Sequence, residues 1–140
     1  MRFVKNSTLS LPDTNTIVRY LIKDDIHQFT TADAFFTKVL NGTQKAVILE
    51  SVLAECIYVL TKIYKVPREE AALSLTDLLL YKGVQNPDQE ELRAGLNLFA
   101  ETKLDIVDCI LCAKARKNAA TLFTFDADLK KYQEKQGRDS

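Results

Sequence analysis

Hydrophobic residues along the chain fall into two patterns, and each pattern predicts a different kind of element. Short apolar runs predict strands at residues 9–11, 46–49 and 119–125, with a weaker edge strand at residues 82–85. Between these runs, apolar positions recur every three or four residues, which is the period of an amphipathic helix. That spacing predicts helices over residues 17–22, 29–40, 51–64, 67–80 and 88–102, and a last one that opens at Ile106.

The order of these elements indicates an α/β fold. Pairs of helices separate the strands, so each connection is a crossover and the sheet is expected to be parallel. We expect a three-layer α/β/α arrangement around a small parallel sheet of four to five strands. The 140 residues suit a single domain spanning residues 1–140, whose polar end, about residues 130–140, is expected to fray.

Charge and cysteine content narrow the possible classes of protein. The chain carries 19 basic and 19 acidic residues, so nucleic-acid binding must come from local patches or a metal rather than from net charge. Its three cysteines complete neither a disulfide framework nor a zinc site, which favours a reducing, cytoplasmic setting. The polar opening residues predict no signal peptide. Charged residues interrupt the apolar stretch at residues 46–64, so no membrane span is expected.

Acidic residues stand where the predicted strands end. Asp13 lies at the junction between the first strand and its helix, and Asp126 directly follows the last strand. The carboxyl ends of parallel strands form one edge of a sheet, where α/β proteins place ligands. We therefore expect these two carboxylates to converge. For Asp13, a purely structural role as a helix cap is equally compatible with the sequence, because Asp is a favoured cap.

Two further acids come from predicted helices. Glu55 interrupts a largely apolar helix, where a carboxylate needs a compensating partner. The alternatives are that Glu55 reaches solvent at the helix edge, or that Glu50, at the strand-to-helix junction, takes its place. Asp108 lies one turn into the last predicted helix, on the side expected to face the sheet. Asp105 is interpreted mainly as the cap of that helix, in a D-x-x-D spacing that resembles a capping box.

Carboxylates from four separate segments are thus candidates for one metal site, with Asp128 as a weaker alternative: Asp13, Glu55, Asp108 and Asp126. Gathered together without a cation they would repel one another, and a divalent ion removes that penalty. Oxygen ligands select hard ions, so we expect Mg²⁺ or Mn²⁺. Such an ion can activate water for hydrolysis of a phosphodiester. The lone His27 is interpreted as a surface residue.

Four stretches, in this order and spacing, resemble the signature of PIN-domain ribonucleases, and most closely that of VapC-type toxins from bacterial toxin–antitoxin pairs. The first is Leu11-Pro12-Asp13-Thr14-Asn15. The other three are residues 52–60 around Glu55, residues 104–113 around Asp108, and residues 122–129 around Asp126. Each stretch alone is a weak signal, but the ordered set covers nearly the whole chain.

The resemblance implies a metal-dependent endoribonuclease that uses the four acids just named. It implies that Asn15 and Thr124 support the metal and phosphate, and that the protein pairs as a homodimer. It also implies a small antitoxin that lies in a groove formed by parts of residues 31–40 and 51–80. Without the resemblance, the apolar flank of residues 67–80 fits ordinary core packing or a partner surface equally well.

Contacts to RNA would come from local basic groups. Arg19 is one candidate; Lys114, Arg116 and Lys117 are others, although these three are more simply interpreted as a solvated helix face. Two alternative functions remain at the level of sequence. One is an inactive RNA- or protein-binding module of the same fold, in which the acids serve as helix caps. The other is a DNA-directed nuclease, which ranks lower because the chain lacks clamp insertions and extra acids.

Overall fold

The computed structural model describes residues 8–132. Helices make up most of this part of the chain, and the strands are short. The elements in chain order are β1 (Leu9–Ser10), α1 (Thr14–Ile22), α2 (Ile26–Asn41), β2 (Lys45–Ala46), α3 (Glu50–Tyr58), α4 (Arg68–Leu79), α5 (Gln89–Glu101) and α6 (Ile106–Lys117). The helix α3 continues as a π-helical segment, Val59–Ile63, and residues 127–132 are again helical.

A small parallel sheet joins the first half of the chain. β1 pairs with β2 in the register Leu9 to Lys45 and Ser10 to Ala46. Val84 adds a single parallel bridge to Ala46, so the predicted edge strand at residues 82–85 is reduced to one bridge. The α/β class is thus present as two strands and a bridge among residues 8–132, and the predicted sheet of four to five strands is not confirmed.

The predicted strand over residues 119–125 is not confirmed, because the structure leaves this segment unpaired. Ala119 has a φ of 51°, which turns the chain sharply at the end of α6. Leu122 then packs with Ala115 and Leu129 in a small apolar cluster of its own. The side chains of Phe123 and Phe125 are 84% and 90% exposed. The segment has the composition of a strand, but its backbone is not paired with the sheet.

The main core lies among the helices, and its tightest contact joins α5 to α6. Gly95 permits this approach, because a Cβ atom at that position would lie 3.0 Å from Cγ1 and 3.1 Å from Cα of Ile110. Leu92 and Leu96, on the same face of α5, are fully buried. Burial of this kind supplies most of the stability of a small domain.

One buried side chain fixes the path between β2 and α3. The Asn86 amide donates to the Ile48 carbonyl oxygen at 2.7 Å and accepts from the Ile48 N–H at 2.9 Å. The side chain thus replaces a strand partner for backbone groups that burial separates from water. Because α3 begins at Glu50, this clamp sets where the helix starts.

The structure bears on two further expectations, the frayed C-terminal tail and the absence of a membrane span. Residues 127–132 are helical, and the remainder of the predicted frayed tail, from residue 133, lies outside the described residues. No described helix has the length and apolar character needed to cross a bilayer.

Candidate metal and nucleic-acid site

Asp13 follows β1 and caps α1, as one of its two predicted roles requires. Its Oδ1 atom accepts from the Thr16 N–H at 2.9 Å and from the Thr16 hydroxyl at 2.8 Å. These two hydrogen bonds favour the charged form and lower the pKa of Asp13 below its ordinary value. A carboxylate offers about four lone-pair sites on two oxygens, so a capping Asp can still bind another ligand.

Glu55 is exposed, contrary to the expectation that it lies in apolar surroundings. The apolar side chains near it along the helix, among them Val52 and Val59, pack against the edge of the core and also line an open cleft. Glu55 nevertheless has a defined partner, since its Oε1 atom accepts from the Thr14 hydroxyl at 2.5 Å. This contact joins the first turn of α1 to α3.

Asp13 and Glu55 therefore share one cleft of about 500 Å³, called here the acidic cleft. Asn15 and Arg19 also line it, as does part of the π-helical segment Val59–Ile63. Short π-helical segments within helices are found frequently at functional sites. Asn15, whose supporting role is implied by the resemblance, is thus one of the residues that line the same cleft as the first acid.

Asp108 lies in the first turn of α6 and is partly buried. Its pKa is raised, mainly by burial and further by the negative charges of Asp105 and Asp126. Asp105 occupies the N-cap position, but its side chain makes no capping hydrogen bond, so the predicted capping box is not formed. The carboxylate of Asp108 is therefore partly desolvated and lies close enough to the carboxylates of Asp105 and Asp126 to be repelled by them.

Asp126 caps the last helical segment. Its Oδ1 atom accepts from the Leu129 N–H at 3.1 Å, and its own N–H donates to the Thr124 hydroxyl oxygen at 3.0 Å. Thr124 thereby fixes the backbone of Asp126, which agrees with a supporting role. Asp128 is exposed, two residues further along.

The structure thus brings the predicted acids together as two pairs. Asp13 and Glu55 share the acidic cleft, and Asp108 and Asp126 act on one another electrostatically. Within residues 8–132, no three Asp, Glu, His or Cys side chains are grouped closely enough to hold a metal ion. The available donors are carboxylate oxygens, which suit Mg²⁺ or Mn²⁺ in chemistry, and the uncompensated charge around Asp108 is of the sign that a cation relieves.

Comparison with known protein families decides the relationship. The PIN domain family model matches residues 10–135, which include all four predicted acids. The chain belongs to the PIN domain family. PIN domains are generally nucleases, and they typically bind divalent metal ions. No curated protein and no solved structure matches the chain significantly.

Ion pairs in this PIN domain distinguish Glu55 from Glu50 as the candidate site acid, and they show how two of the candidate RNA-binding lysines are used. Lys114 lies 2.9 Å from Glu50 and 3.2 Å from Asp88, so Glu50 already has a cationic partner, whereas Glu55 has a hydroxyl. Lys117 is paired with Glu90. The charges of both lysines thus serve the packing of α6 against its neighbours, in line with their interpretation as a helix face.

A second network of polar side chains, which no sequence motif indicates, borders the acidic cleft. Nη1 of Arg19 donates to Oδ1 of Asp24 at 2.7 Å and to the hydroxyl oxygen of Tyr64 at 3.1 Å. The Tyr64 hydroxyl in turn donates to Oδ2 of Asp24 at 3.0 Å. The three groups close a ring that holds Arg19 in place at the cleft wall. Tyr64 is 45 residues from Arg19 along the chain, so no local pattern could reveal the contact.

Proposed function

We propose that this PIN domain is an endoribonuclease that hydrolyses RNA phosphodiester bonds with Mg²⁺ or Mn²⁺. The observation that carries the proposal is the state of Asp108, a partly buried carboxylate whose pKa is raised by burial and by two neighbouring acids. An arrangement of this kind destabilises the protein unless a cation is bound, so it points to a functional site rather than to packing.

In this proposal the metal is held by the four acids Asp13, Glu55, Asp108 and Asp126, with Asp105 as a weaker contributor. A bound divalent ion supplies neutralisation of phosphate charge and a more acidic water. The chain's own supporting groups position the acids: Thr14 holds Glu55 by its hydroxyl, and Thr124 holds the backbone of Asp126. Asn15 is proposed to contact the phosphate from the cleft wall.

We further propose that residues 120–125 complete the sheet by pairing with β1. Two observations support this. Within the described residues β1 has a partner strand on one side only, with Leu9 and Leu11 50% and 59% exposed. The segment 120–125 is itself unpaired and exposes two phenylalanine rings. A parallel addition at this edge would give the sheet a third strand, besides the single bridge at Val84, and bring the end of the segment, Asp126, to the edge that holds Asp13.

Amide hydrogen exchange tests this addition. Residues 120–125 are expected to gain protection when Mn²⁺ is added to the whole chain, because their N–H groups would enter a ladder. Equal exchange with and without Mn²⁺ would reject metal-linked pairing of the strand. The buried residues of α5, Leu92, Gly95, Leu96 and Phe99, serve as an internal control, since they lie in the helical core away from this edge of the sheet.

RNA cleavage tests the activity itself. The chain is expected to cut single-stranded RNA in Mn²⁺, and Asp108→Asn is expected to lower the rate more than about 100-fold, since even groups that only support metal ligands typically cost about 10- to 100-fold. The matched control is Asp77→Asn, an exposed carboxylate on α4 that has no place in the site. Equal rates for the wild type and Asp108→Asn would remove Asp108 from the site.

A role as the toxin of a toxin–antitoxin pair is the finer proposal, in a cytoplasmic setting. Its support is apolar surface on the helices predicted to form the antitoxin groove and homodimer contacts: Leu40, Tyr58, Leu73 and Leu80 are each at least half exposed. A small protein encoded beside this chain, which co-purifies with it and stops cleavage, is the expected finding. Light scattering is expected to give twice the 15.8 kDa of the chain.

One observation favours a second candidate function, an inactive RNA- or protein-binding module. Asp13 and Asp126 both cap helices, so these acids have a structural use without any metal. The two functions differ in what an Asp-to-Asn exchange does, because Asn caps a helix about as well as Asp but removes the charge.

A further inference from the structure

A second cleft lies beside the acidic cleft and shares a wall with it. It has a volume of about 370 Å³ and is formed where the first turn of α1 meets the start of α2. Asn15 and Arg19 line both clefts. If a polymer is cut at Asp13 and Glu55, the residue of that polymer next to the cut bond would therefore lie at or near this second cleft. We call it the α1–α2 cleft.

The lining of the α1–α2 cleft differs from that of its neighbour. It contains no carboxylate, whereas Asp13 and Glu55 line the acidic cleft. Neutral amides and hydroxyls, one guanidinium, one imidazole and one aromatic ring face the cleft: Asn15, Arg19, His27, Gln28, Thr31 and Phe35. Of the nearby acids, Asp24 bonds Arg19 and Asp25 caps α2 through the Gln28 N–H. Asp33 also belongs to α2, but it is not among the residues that line the cleft.

These groups are the kinds that recognise an unpaired nucleotide. Proteins read single-stranded RNA by hydrogen bonds from amides and hydroxyls to base edges and by stacking on aromatic rings. Gln28 and Thr31 are exposed on the first two turns of α2. The Gln28 amide can donate to and accept from a base edge, and the Thr31 hydroxyl, which donates to the His27 carbonyl oxygen at 3.3 Å, can still accept through its oxygen. The ring of Phe35 is fixed by an edge-on contact with Phe36, at 4.9 Å between ring centres. Since Asp24 offsets the charge of Arg19, hydrogen bonds and stacking count for more here than net attraction.

We propose that the α1–α2 cleft binds a nucleotide of single-stranded RNA adjacent to the bond cut in the acidic cleft. This inference rests on the proposed ribonuclease function and adds the place where base preference is set. Gln28 and Thr31 contact the base edge, Phe35 stacks on the base, and Asn15 and Arg19 form the wall between the two nucleotides.

The experiment compares two double variants. Gln28→Ala/Thr31→Ala removes hydrogen-bonding groups from the cleft at exposed positions, and Thr37→Ala/Gln85→Ala removes the same groups from exposed positions outside it. Binding of a labelled random single-stranded RNA of about 10 nucleotides is measured by fluorescence anisotropy in EDTA. Cleavage positions in a random RNA pool are sequenced in Mn²⁺. Melting curves confirm that both variants fold as the wild type does.

The cleft variant is expected to bind RNA about tenfold more weakly, a loss of roughly 1.4 kcal/mol that lies within the range for one base contact. Its base preference at one position next to the cut is expected to relax, with a rise in KM larger than the fall in kcat. The control variant should match the wild type. Wild-type affinity in the cleft variant would overturn the proposal, including the case in which a protein partner occupies the cleft instead.

Failure of this inference is distinguishable from failure of the proposed function. If the wild type cleaves RNA and both variants retain its affinity and its cut positions, the activity stands and the subsite is rejected. If the wild type cleaves no RNA, the activity is rejected, and the binding arm still decides the cleft. A loss of RNA affinity confined to the cleft variant then supports a nucleotide subsite in a binding module.

Discussion

The two acidic pairs of this PIN domain are stabilised in different ways. Asp13 and Glu55 both accept hydrogen bonds from hydroxyls of α1, and Asp13 accepts a backbone N–H as well. These contacts lower the pKa of Asp13. Asp108 has the opposite shift, because burial and two nearby acids raise its pKa. Both acids of the first pair thus accept hydrogen bonds from α1, whereas in the second pair Asp126 accepts a capping hydrogen bond and Asp108 carries the unfavourable charge.

This difference indicates how the site is divided. The Asp13–Glu55 pair is pre-organised by short-range contacts, so it can hold its geometry with or without a ligand. The Asp108–Asp126 pair gains most when a cation arrives, since the cation removes the repulsion that helps to raise the pKa of Asp108. Binding of a metal by the second pair is therefore expected to be the step that draws the site together.

The largest expected effect is a loss of RNA cleavage in a variant that keeps the helix-capping role of Asp13 but removes its negative charge. Asp13→Asn should keep most of the melting temperature of the wild type, because Asn also caps a helix well, and lose only the small contribution of the charge, while RNA cleavage falls more than about 100-fold. Asp13→Ala should lose both, at a cost of about 1 kcal/mol of stability. Full cleavage by Asp13→Asn would show that the residue is only a cap, and would favour the binding-module function.

Metal binding is the next effect in size, and it tests the Asp108–Asp126 pair. Mn²⁺ at about 100 times its Kd should stabilise the wild type by about 2.7 kcal/mol. For a domain of this size that corresponds to a rise of roughly 8 °C in Tm. Asp126→Asn keeps the cap on the last helix but should lose most of this rise.

The control for metal binding is Asp77→Asn, which should show the wild-type rise in Tm. If Mn²⁺ stabilises Asp126→Asn and the wild type equally, Asp126 is not a ligand. If Mn²⁺ stabilises neither protein, the metal-dependent function itself is rejected.

A smaller effect on the cleavage rate is expected from substitution of Thr14, which tests whether the Asp13–Glu55 pair is pre-organised by its hydrogen bonds. Thr14→Val removes the hydroxyl that holds Glu55 and should slow cleavage about tenfold, in keeping with the worth of one hydrogen bond to a charged group. Thr14→Ser restores the donor and should restore the rate. Thr37→Val, an exposed exchange on α2, is the control. A serine variant as slow as the valine variant would mean that the threonine methyl group matters, not the bond.

Features set by neighbours in sequence were predictable, as Asp13 shows. A helix cap depends on three or four consecutive residues, and the capping role was one of the two predicted for it. The order of helices also follows from local periodicity, and the membership in the PIN domain family is confirmed over residues 10–135. At Asp105 the same local logic was wrong, because the D-x-x-D spacing permits a capping box but does not require the side chain to adopt it.

Features set by distant partners were not predictable from one sequence. The segment 119–125 has the composition of a strand, but a strand exists only when another backbone pairs with it. Glu55 has apolar neighbours along its helix, yet these border a cleft, so residue type alone misjudged its exposure. The Lys114–Glu50 pair and the Arg19–Asp24–Tyr64 ring each join different elements across the fold. No periodicity records such contacts.

The smallest expected effect is a pH dependence that has opposite signs in the two pairs. Because the pKa of Asp108 is raised, the folded protein keeps this proton at pH values where the unfolded chain has lost it. Ionisation of Asp108 therefore lowers stability as pH rises from the ordinary Asp pKa through the raised value. The lowered pKa of Asp13 acts in the other direction, since its contribution is present at neutral pH and is lost as pH falls through the lowered value.

Melting temperatures of the metal-free chain in EDTA, from about pH 3 to about pH 7, test both signs. Asp108→Asn should gain on the wild type as pH rises and then hold a constant small advantage, because the amide avoids the repulsion from Asp105 and Asp126. Asp13→Asn should fall behind the wild type as pH rises over the low end of the same range, because the wild type then gains the contribution of the ionised Asp13 and the variant does not. Parallel curves for the wild type and Asp108→Asn would mean that Asp108 titrates as in the unfolded chain. The second pair would then carry no excess charge for a cation to relieve, and the contrast between the two pairs would disappear.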